Sequence, residues 1–561
     1  MNAAVLAVIG LTMIFLGYRF YSKFIAEKIY QLDPDFVTPA HALRDDIDFL
    51  PTNRLVLWGH HFTAVAGAAP IIGPGIAVIW GWLPAFLWVV FGTMFFAGVH
   101  DFGAVWASVR NKAVSIGSLT GDVVSPRART LFMVVVFFLL MMVNAVFGVA
   151  ISDAFQETPS SVIPAWTAVF VAVIIGVLIY RMHVPILWPT VVGTVVLYAV
   201  IYLGEAVPLS LTAGSLGLPV GAQWILILFA YAGVASLLPV WLLLQPRDYI
   251  NGIQLFVGLG LLYGAVLIAN PTIVAPAINP DLPASAPPIF PLLFVTIACG
   301  AISGFHGLVG SGTTSKQLDK ETDARFVGYL GSSGEGALAL VAIIAATAGF
   351  ADLAEWRAMY AEFGNGGMAA FVQGGARVVA AGVGISEQFA ATLLTVMAVL
   401  FAGTTMDAGV RLQRYIVQEW GAIYNIPVLQ NGYVATGLAV AACLVLAFGA
   451  GGASGEGGML IWPLFGTTNQ LLAGLTLMVI SVMLVKLGRP ARYTLIPMVF
   501  ITTAALGAAL VQLMTLYRQG GILYPLLWID VVIVLLAILV MLEASSAFLR
   551  ERRAAQARAS A

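Results

Sequence analysis

The chain has 561 residues, 60% of them apolar and 9% charged, with a mean hydropathy of +0.96. No soluble domain of this length is so apolar, so the composition defines a polytopic membrane protein, and a formal net charge of -1 argues against nucleic acid as a partner. Cys299 and Cys443 both fall inside apolar runs, which leaves no case for a structural disulfide or a cysteine metal site.

The first apolar run, about residues 3–17, is followed rather than preceded by its positive charges, Arg19, Lys23 and Lys28. It also lacks a small-residue cleavage site, so it reads as an uncleaved span with its N-terminus outside. A polar connection over 21–61 follows, carrying Asp33, Asp35, Asp45, Asp46 and Asp48 and ending in Gly59-His60-His61. Further apolar runs of bilayer length begin near residues 62, 83, 130, 162, 186, 222, 252, 289, 328, 388, 433, 458, 494 and 525, which makes about fifteen spans. Their loop charges divide sharply. Of the 26 Lys and Arg, all but Arg357, Arg377 and Arg518 fall on one side, which the positive-inside rule makes the cytoplasm. The C-terminus is then cytoplasmic. The longest external loop, about 351–387, is glycine-rich and has room for a short surface helix, and Glu456 reads as a solvated acid in another external loop.

Two stretches predict interrupted helices. Span two contains Pro70 and Pro74, each lacking a backbone donor, with Gly73 and Gly75 flanking the second. Span seven contains Ala230-Tyr231 through Pro239 and Trp241, followed by Gln245-Pro-Arg-Asp248. Secondary transporters place broken helices at matching points of two inverted repeats, with the substrate between them. The expected fold is therefore an all-α, five-plus-five inverted-repeat core, leucine-transporter-like, with extra helices. Its parts would be 1–61, a first repeat over 62–205, a second over 206–410, and additional spans over 411–561.

The stretch Thr296–Ser315 is the densest in unusual residues: five glycines, Cys299, His306, and the hydroxyls Ser311, Thr313, Thr314 and Ser315. Histidine in hydrocarbon needs a partner or water, and irregular backbone at membrane depth survives only where it lines a protein cavity. This reads as the wall of a binding site. Ser311, Thr313 and Thr314 are hard-oxygen donors suited to Na⁺, or they satisfy carbonyls one turn back along their own helix. His306 and Glu335, the latter set among Gly331, Gly334 and Gly336, are candidate proton carriers, as is Asp101, which closes span three after His100. Asp407 precedes Arg411 by four residues and reads as a helical ion pair. A small carboxylate is expected at the helix breaks, against Gly67, Gly73 and Gly75, with His61, Tyr231 and His306 as side-chain contacts. No nucleotide loop, catalytic triad or metal-ligand spacing appears, so no cofactor, resident metal or enzymatic activity is expected.

Several stretches together resemble the carbon-starvation protein A transporters. They are Pro51-Thr-Asn53 with Gly59-His-His-Phe62, Gly73-Pro74, Asp101-Phe102, and Leu238 through Tyr249. Thr296 through His306 with Ser311-Gly-Thr-Thr314, Thr404-Thr-Met-Asp-Ala-Gly409, and Trp462-Pro-Leu-Phe-Gly466 with Asn469-Gln470 complete the set. The resemblance implies a secondary transporter of the cell inner membrane, related to the amino-acid/polyamine/organocation superfamily. It implies import of pyruvate with protons or use of small peptides; sodium-coupled amino-acid or peptide transport is the alternative, and a starvation sensor without flux the third reading. The chain departs from that pattern at His100, where a Gln is expected, and in the small-residue run before Glu335.

Overall fold

The computed structural model describes residues 1–45, 48–212, 217–239, 241–451, 458–520 and 525–560, and among them every regular element is a helix, apart from three isolated bridges. Asp46 and Glu456 lie outside the described residues. In chain order the helices are α1 (Ala3–Tyr30), α2 (Arg54–Val65), α3 (Ala69–Trp80), α4 (Trp82–Arg110), α5 (Ile116–Val123), α6 (Pro126–Glu157), α7 (Pro159–Tyr180), α8 (Leu187–Gly204), α9 (Val220–Leu237) and α10 (Leu244–Ala269). They continue as α11 (Ile289–Thr296), α12 (Gly304–Val309), α13 (Arg325–Ala348), α14 (Leu353–Met359), α15 (Gly367–Val383) and α16 (Glu387–Ile423). The last four are α17 (Gly432–Gly449), α18 (Ile461–Lys486), α19 (Arg492–Gly520) and α20 (Leu526–Ala554).

Thirteen of these helices are long and apolar enough to cross a membrane, and the bent pair α2–α3 makes a fourteenth. The expected fifteenth, beginning at 289, is too interrupted to qualify. Its α11 segment is followed by seven non-helical residues, 297–303, before α12 and a π-helical turn over Gly310–Thr314. The break expected in Ala230–Trp241 does not form. Nothing in Ala230–Leu237 removes a donor from the ladder, so α9 runs unbroken to Leu237, and Pro239 only stops it. The two interruptions among the described spans are thus at 66–68, where the chain bends by 50°, and at 297–303.

Two long helices, α6 and α16, pack along each other as the scaffold. Both are almost wholly buried and both begin on a side-chain cap: Ser125 accepts from Ala128 N at 3.1 Å, and Ser386 from Phe389 N at 3.1 Å. The broken spans lie next to each other, α3 against α11, and α18 packs on α11, α12 and α6. Helix α10 lies against α2 and α16 in a matching way. The external loop is less superficial than its composition suggests. Its α15 packs on α3, α10, α13 and α16, and Gly75 meets it so closely that a β-carbon there would lie 2.5 Å from the Gly367 carbonyl oxygen. On the opposite side, the 21–61 connection docks on the loop after α12. Glu321 takes both arms of Arg110 and accepts Asp33 N at 2.6 Å, and Thr52 bridges Leu318. Cys299 and Cys443 are buried free thiols.

Candidate functional site

The first break is made by Ala66, whose ψ of 71° leaves the helical range after Val65. Gly67 then lies on α16: a β-carbon there would come 2.7 Å from Thr405 Oγ1, with Phe147 of α6 beyond it. Past the break, Pro70 stands in the first turn of α3, where its missing N–H costs nothing. Gly73 brings α3 against the second break, since its β-carbon would sit 2.4 Å from the Thr296 carbonyl oxygen. The glycines Gly67, Gly73 and Gly75 therefore serve close backbone packing, each against a different neighbour.

The second break turns at Ile297 (ψ 64°) and Gly300, whose φ of +83° favours glycine. Five of its carbonyls are taken by side chains. Trp462 Nε1 donates to Thr296 O (3.2 Å), Trp88 Nε1 to Ile297 O (3.3 Å), and Thr93 Oγ1 to Gly300 O (3.2 Å). Gln470 Nε2 donates to Ala298 O (3.3 Å) and Ile302 O (3.1 Å), while Asn469 Oδ1 accepts Phe305 N (3.0 Å). The hydroxyls expected to hold a cation are also engaged. Ser311 Oγ donates to Gly307 O at 2.6 Å and accepts Ile116 N at 2.9 Å. Thr313 Oγ1 donates to Val309 O at 2.8 Å, and Thr314 Oγ1 meets His61 Nδ1 at 2.8 Å.

Just past this break the chain assembles a buried chain of titratable groups. Asp101 Oδ2 lies 2.8 Å from His306 Nδ1, and His306 Nε2 lies 3.2 Å from Glu335 Oε2. His100 Nδ1 lies 2.7 Å from the other Asp101 oxygen. All four side chains are at most 1% exposed. Both ring nitrogens of His306 thus face carboxylates. A neutral imidazole has one N–H and can serve only one of them, so the arrangement is complete only when it holds an added proton. The Cys299 sulfur joins His306 and Glu335 with donor atoms within 4.8 Å of one another, a spacing that can also surround a small cation. His61 stands beside this group, against Thr314, with Gly331 leaving room for its ring.

Tyr231 is elsewhere. Its hydroxyl donates to Asp407 Oδ2 at 2.8 Å and accepts from Arg247 Nη1 at 2.7 Å, and Arg247 also pairs directly with Asp407. The expected Asp407–Arg411 pair gives way to this longer-range one, because Arg411 Nη2 instead caps the end of α9 through Ala235 O (2.9 Å) and Leu238 O (2.8 Å). The structure therefore brings His61, Asp101, His306, Thr314 and Glu335 together and leaves Tyr231 in a second cluster. Reading the sequence missed Arg247 and Trp462 as contributors, although both lie in stretches that stood out, and it treated Asn469-Gln470 only as part of a motif. On the side of α14 and α15, a cavity of about 590 Å³ opens between Ile72, Ala150, Asp153, Met359 and Thr395, above the first break.

A bundle of membrane-spanning helices with two interrupted spans meeting at buried ionisable groups is the architecture of a transporter. The solved structures agree on the fold. A crystal structure of an Eremococcus coleocola manganese transporter mutant superposes with a TM-score of 0.50 at 12% identity, covering 91% of this chain and 99% of that one. The sequence narrows the class: residues 2–362 and 351–508 match the family of carbon starvation protein CstA, and the chain belongs to that family. It is 33% identical to the peptide transporter CstA of Campylobacter jejuni over 93% of this chain and 81% of the relative. It is 31% identical both to the peptide transporter CstA of Escherichia coli K12 (89% and 79% covered) and to that organism's pyruvate/proton symporter BtsT (91% and 82%). The relatives are transporters and not enzymes, as the absence of any catalytic motif led us to expect.

Proposed function

We propose that the chain imports a small carbon source, pyruvate or a related small carboxylate or a small peptide, across the cell inner membrane together with protons. The observation that carries this reading is His306 held between Asp101 and Glu335 at the second helix break. A group that is complete only with a proton, beside the point where two spans unwind, can load on one side and release on the other as the helices rearrange. A similar protein is named a pyruvate/proton symporter, which fits. Sodium coupling is the weaker reading because Ser311 Oγ already both donates and accepts, Thr314 Oγ1 is engaged by His61, and Thr313 Oγ1 bonds back along its own helix. A sensor without flux has no need of paired broken helices.

For the fold we keep the inverted repeat as a proposal and move its boundaries. We propose that the second half opens at the 289–317 span, not at residue 206. What supports this is that α2–α3 and α11–α12 are the two interrupted spans, α6 and α16 the two scaffold helices, and α10 and α18 the two that flank the breaks. Helices α7 and α8 form an inserted hairpin packed on each other. With the N-terminus outside and the C-terminus in the cytoplasm, the 590 Å³ cavity opens outward. Reporter fusions at Ala561 and near Thr158 test this, and must report opposite sides.

The deciding experiment is uptake of labelled pyruvate, dipeptides and amino acids into proteoliposomes under a proton or a sodium gradient. Accumulation of pyruvate or a peptide under an inward proton gradient alone is expected. Accumulation that needs sodium and ignores pH would overturn the proton reading, and binding without flux would favour the sensor.

A further inference from the structure

Helix α10 begins in the Gln245-Pro-Arg-Asp-Tyr249 stretch, which proton coupling at His306 leaves without a role. Its inward face carries Arg247, Asp248, Asn251 and Gln254, all at most 5% exposed, at the spacing of a single helical stripe. A permanently charged guanidinium buried inside the helix bundle needs a reason, since arginine does not shed its proton to escape burial.

Arg247 is only half used. Nη1 makes both of its bonds, to Asp407 and Tyr231, whereas Nε is buried with no partner. Across the pair, Asp407 Oδ1 is likewise buried and unpartnered. The structure also makes room for this guanidinium: at Gly403 of α16 a β-carbon would sit 2.4 Å from Arg247 Nη2. An arginine presents two bidentate edges to carboxylates, Nε–Nη2 and Nη1–Nη2. Asp407 takes only Nη1, through a single oxygen, so the Nε–Nη2 edge holds no carboxylate.

A cavity of about 30 Å³ lies beside the group, lined by Arg247, Asp407 and Tyr231 and otherwise by apolar walls such as Phe155, Trp166 and Leu228. That is room for about two waters, close to the footprint of the two oxygens of a carboxylate. Helix α10 meets the first broken span one turn further on: His60 Nδ1 of α2 lies 3.8 Å from Asp248, and a β-carbon at Gly252 would lie 2.7 Å from Thr63 Oγ1.

We propose that Arg247 is the residue that recognises the carboxylate of the transported anion, through the guanidinium edge that Asp407 leaves free, with Tyr231 helping to hold the guanidinium in place. The proposal rests on the reading that the cargo carries a carboxylate, and it moves anion recognition from the helix-break amides to α10. Around Asp407 the facing charges are Arg247 and Asp248 on α10, Arg411 on α16, and His60 on α2, whose Nδ1 is 3.8 Å from Asp248. Two arginines balance two aspartates there, so an arriving carboxylate adds one uncompensated negative charge. The proton that accompanies the substrate offsets it.

The test is the concentration dependence of pyruvate uptake in proteoliposomes, with pyruvamide, the neutral amide, as competitor, for wild type, Arg247→Lys, Arg247→Gln and Tyr231→Phe. Arg247→Lys keeps the charge and loses the fork, so KM for pyruvate should rise tenfold or more while kcat changes less. Arg247→Gln should abolish discrimination between pyruvate and pyruvamide. Tyr231→Phe, which removes only one oxygen, should raise KM two- to fivefold and serves if the arginine variants do not fold. Wild-type uptake of pyruvate with an unchanged KM and unchanged preference over pyruvamide in a folded Arg247 variant, or an unchanged KM in Tyr231→Phe, would overturn the assignment alone. Wild type that neither binds nor transports pyruvate or any small peptide would overturn the carboxylate reading itself, and this assignment with it.

Discussion

The two buried charge clusters solve the problem of charge in a membrane in opposite ways. The group at Asp101, His306 and Glu335 contains no permanent cation, so its net charge is set by how many protons its two carboxylates and one imidazole hold. The group at Arg247, Asp407 and Tyr231 contains a guanidinium that stays charged, so its balance is fixed by neighbouring carboxylates. The first can change state with no ligand but H⁺; the second keeps its own charges and can change state only by taking up an anion at its free guanidinium edge. A protein that moves an acid together with a proton needs both kinds, and it needs them apart, because a guanidinium in contact with the titrating histidine would repel the proton.

The sharpest way to break this contrast is to freeze the titrating cluster. Glu335→Gln keeps the shape and removes the charge, and His306→Ala removes the relay. One pH unit of gradient stores about 1.4 kcal/mol per proton, or about a tenfold accumulation. Both variants should lose that factor in gradient-driven uptake and keep counterflow exchange, measured in the same vesicles. If Glu335→Gln accumulates substrate at every pH as wild type does, the first cluster is structural and the contrast collapses.

A smaller effect separates the clusters from the packing that holds the breaks together. Gly73→Ala places a methyl carbon 2.4 Å from the Thr296 carbonyl oxygen, and backbone cannot swing aside as a side chain can. The overpacking should cost about 1–3 kcal/mol, seen as a lower melting temperature together with reduced uptake. Gly73→Leu is expected to lose uptake altogether, and with it some expression, because the collision is with backbone. Gly264→Ala is the control: nothing lies within 4 Å of a β-carbon there, so stability should hold or rise.

Much of this was legible in the sequence and some could not be. Period and hydropathy give the helices because a bilayer imposes a length on each. Pro70 points to the first break because it opens α3 just past it, although Pro74 stays inside α3 without interrupting it, and Gly300 marks the second through its positive φ. The false break at Ala230–Trp241 comes from reading Pro239 as mid-membrane, when it stands past the end of α9. Pairings across the fold are the part that spacing cannot give. Asp407 and Arg411 sit four apart on one helix, yet Asp407 pairs with Arg247, some 160 residues away, and Arg411 is drawn off by the orphan carbonyls of α9. The same blindness hid the partners of the second break, since nothing in Trp88, Trp462 or Gln470 announces that their N–H groups take over its carbonyls.

The smallest expected effect bears on the hydroxyls beside the first cluster. Thr314 is the one of the three that meets a titratable side chain, His61 Nδ1 at 2.8 Å; Ser311 and Thr313 both donate back one turn, and Ser311 also accepts Ile116 N. Under proton coupling, Thr314→Ala removes a single hydrogen bond, worth about 1 kcal/mol. It leaves His306, Asp101 and Glu335 untouched. Uptake should fall only a few-fold, with the same dependence on the proton gradient and none on sodium. Under sodium coupling the same hydroxyl would be a ligand, and its loss would remove a sodium stimulation present in the wild type. The two outcomes are separated by measuring uptake in sodium and in choline buffers at fixed pH, for wild type and Thr314→Ala in parallel. A sodium stimulation that vanishes in Thr314→Ala, alongside normal accumulation in Glu335→Gln, would move coupling from the histidine to the hydroxyls; a modest, sodium-independent loss leaves it where the carboxylates flank His306.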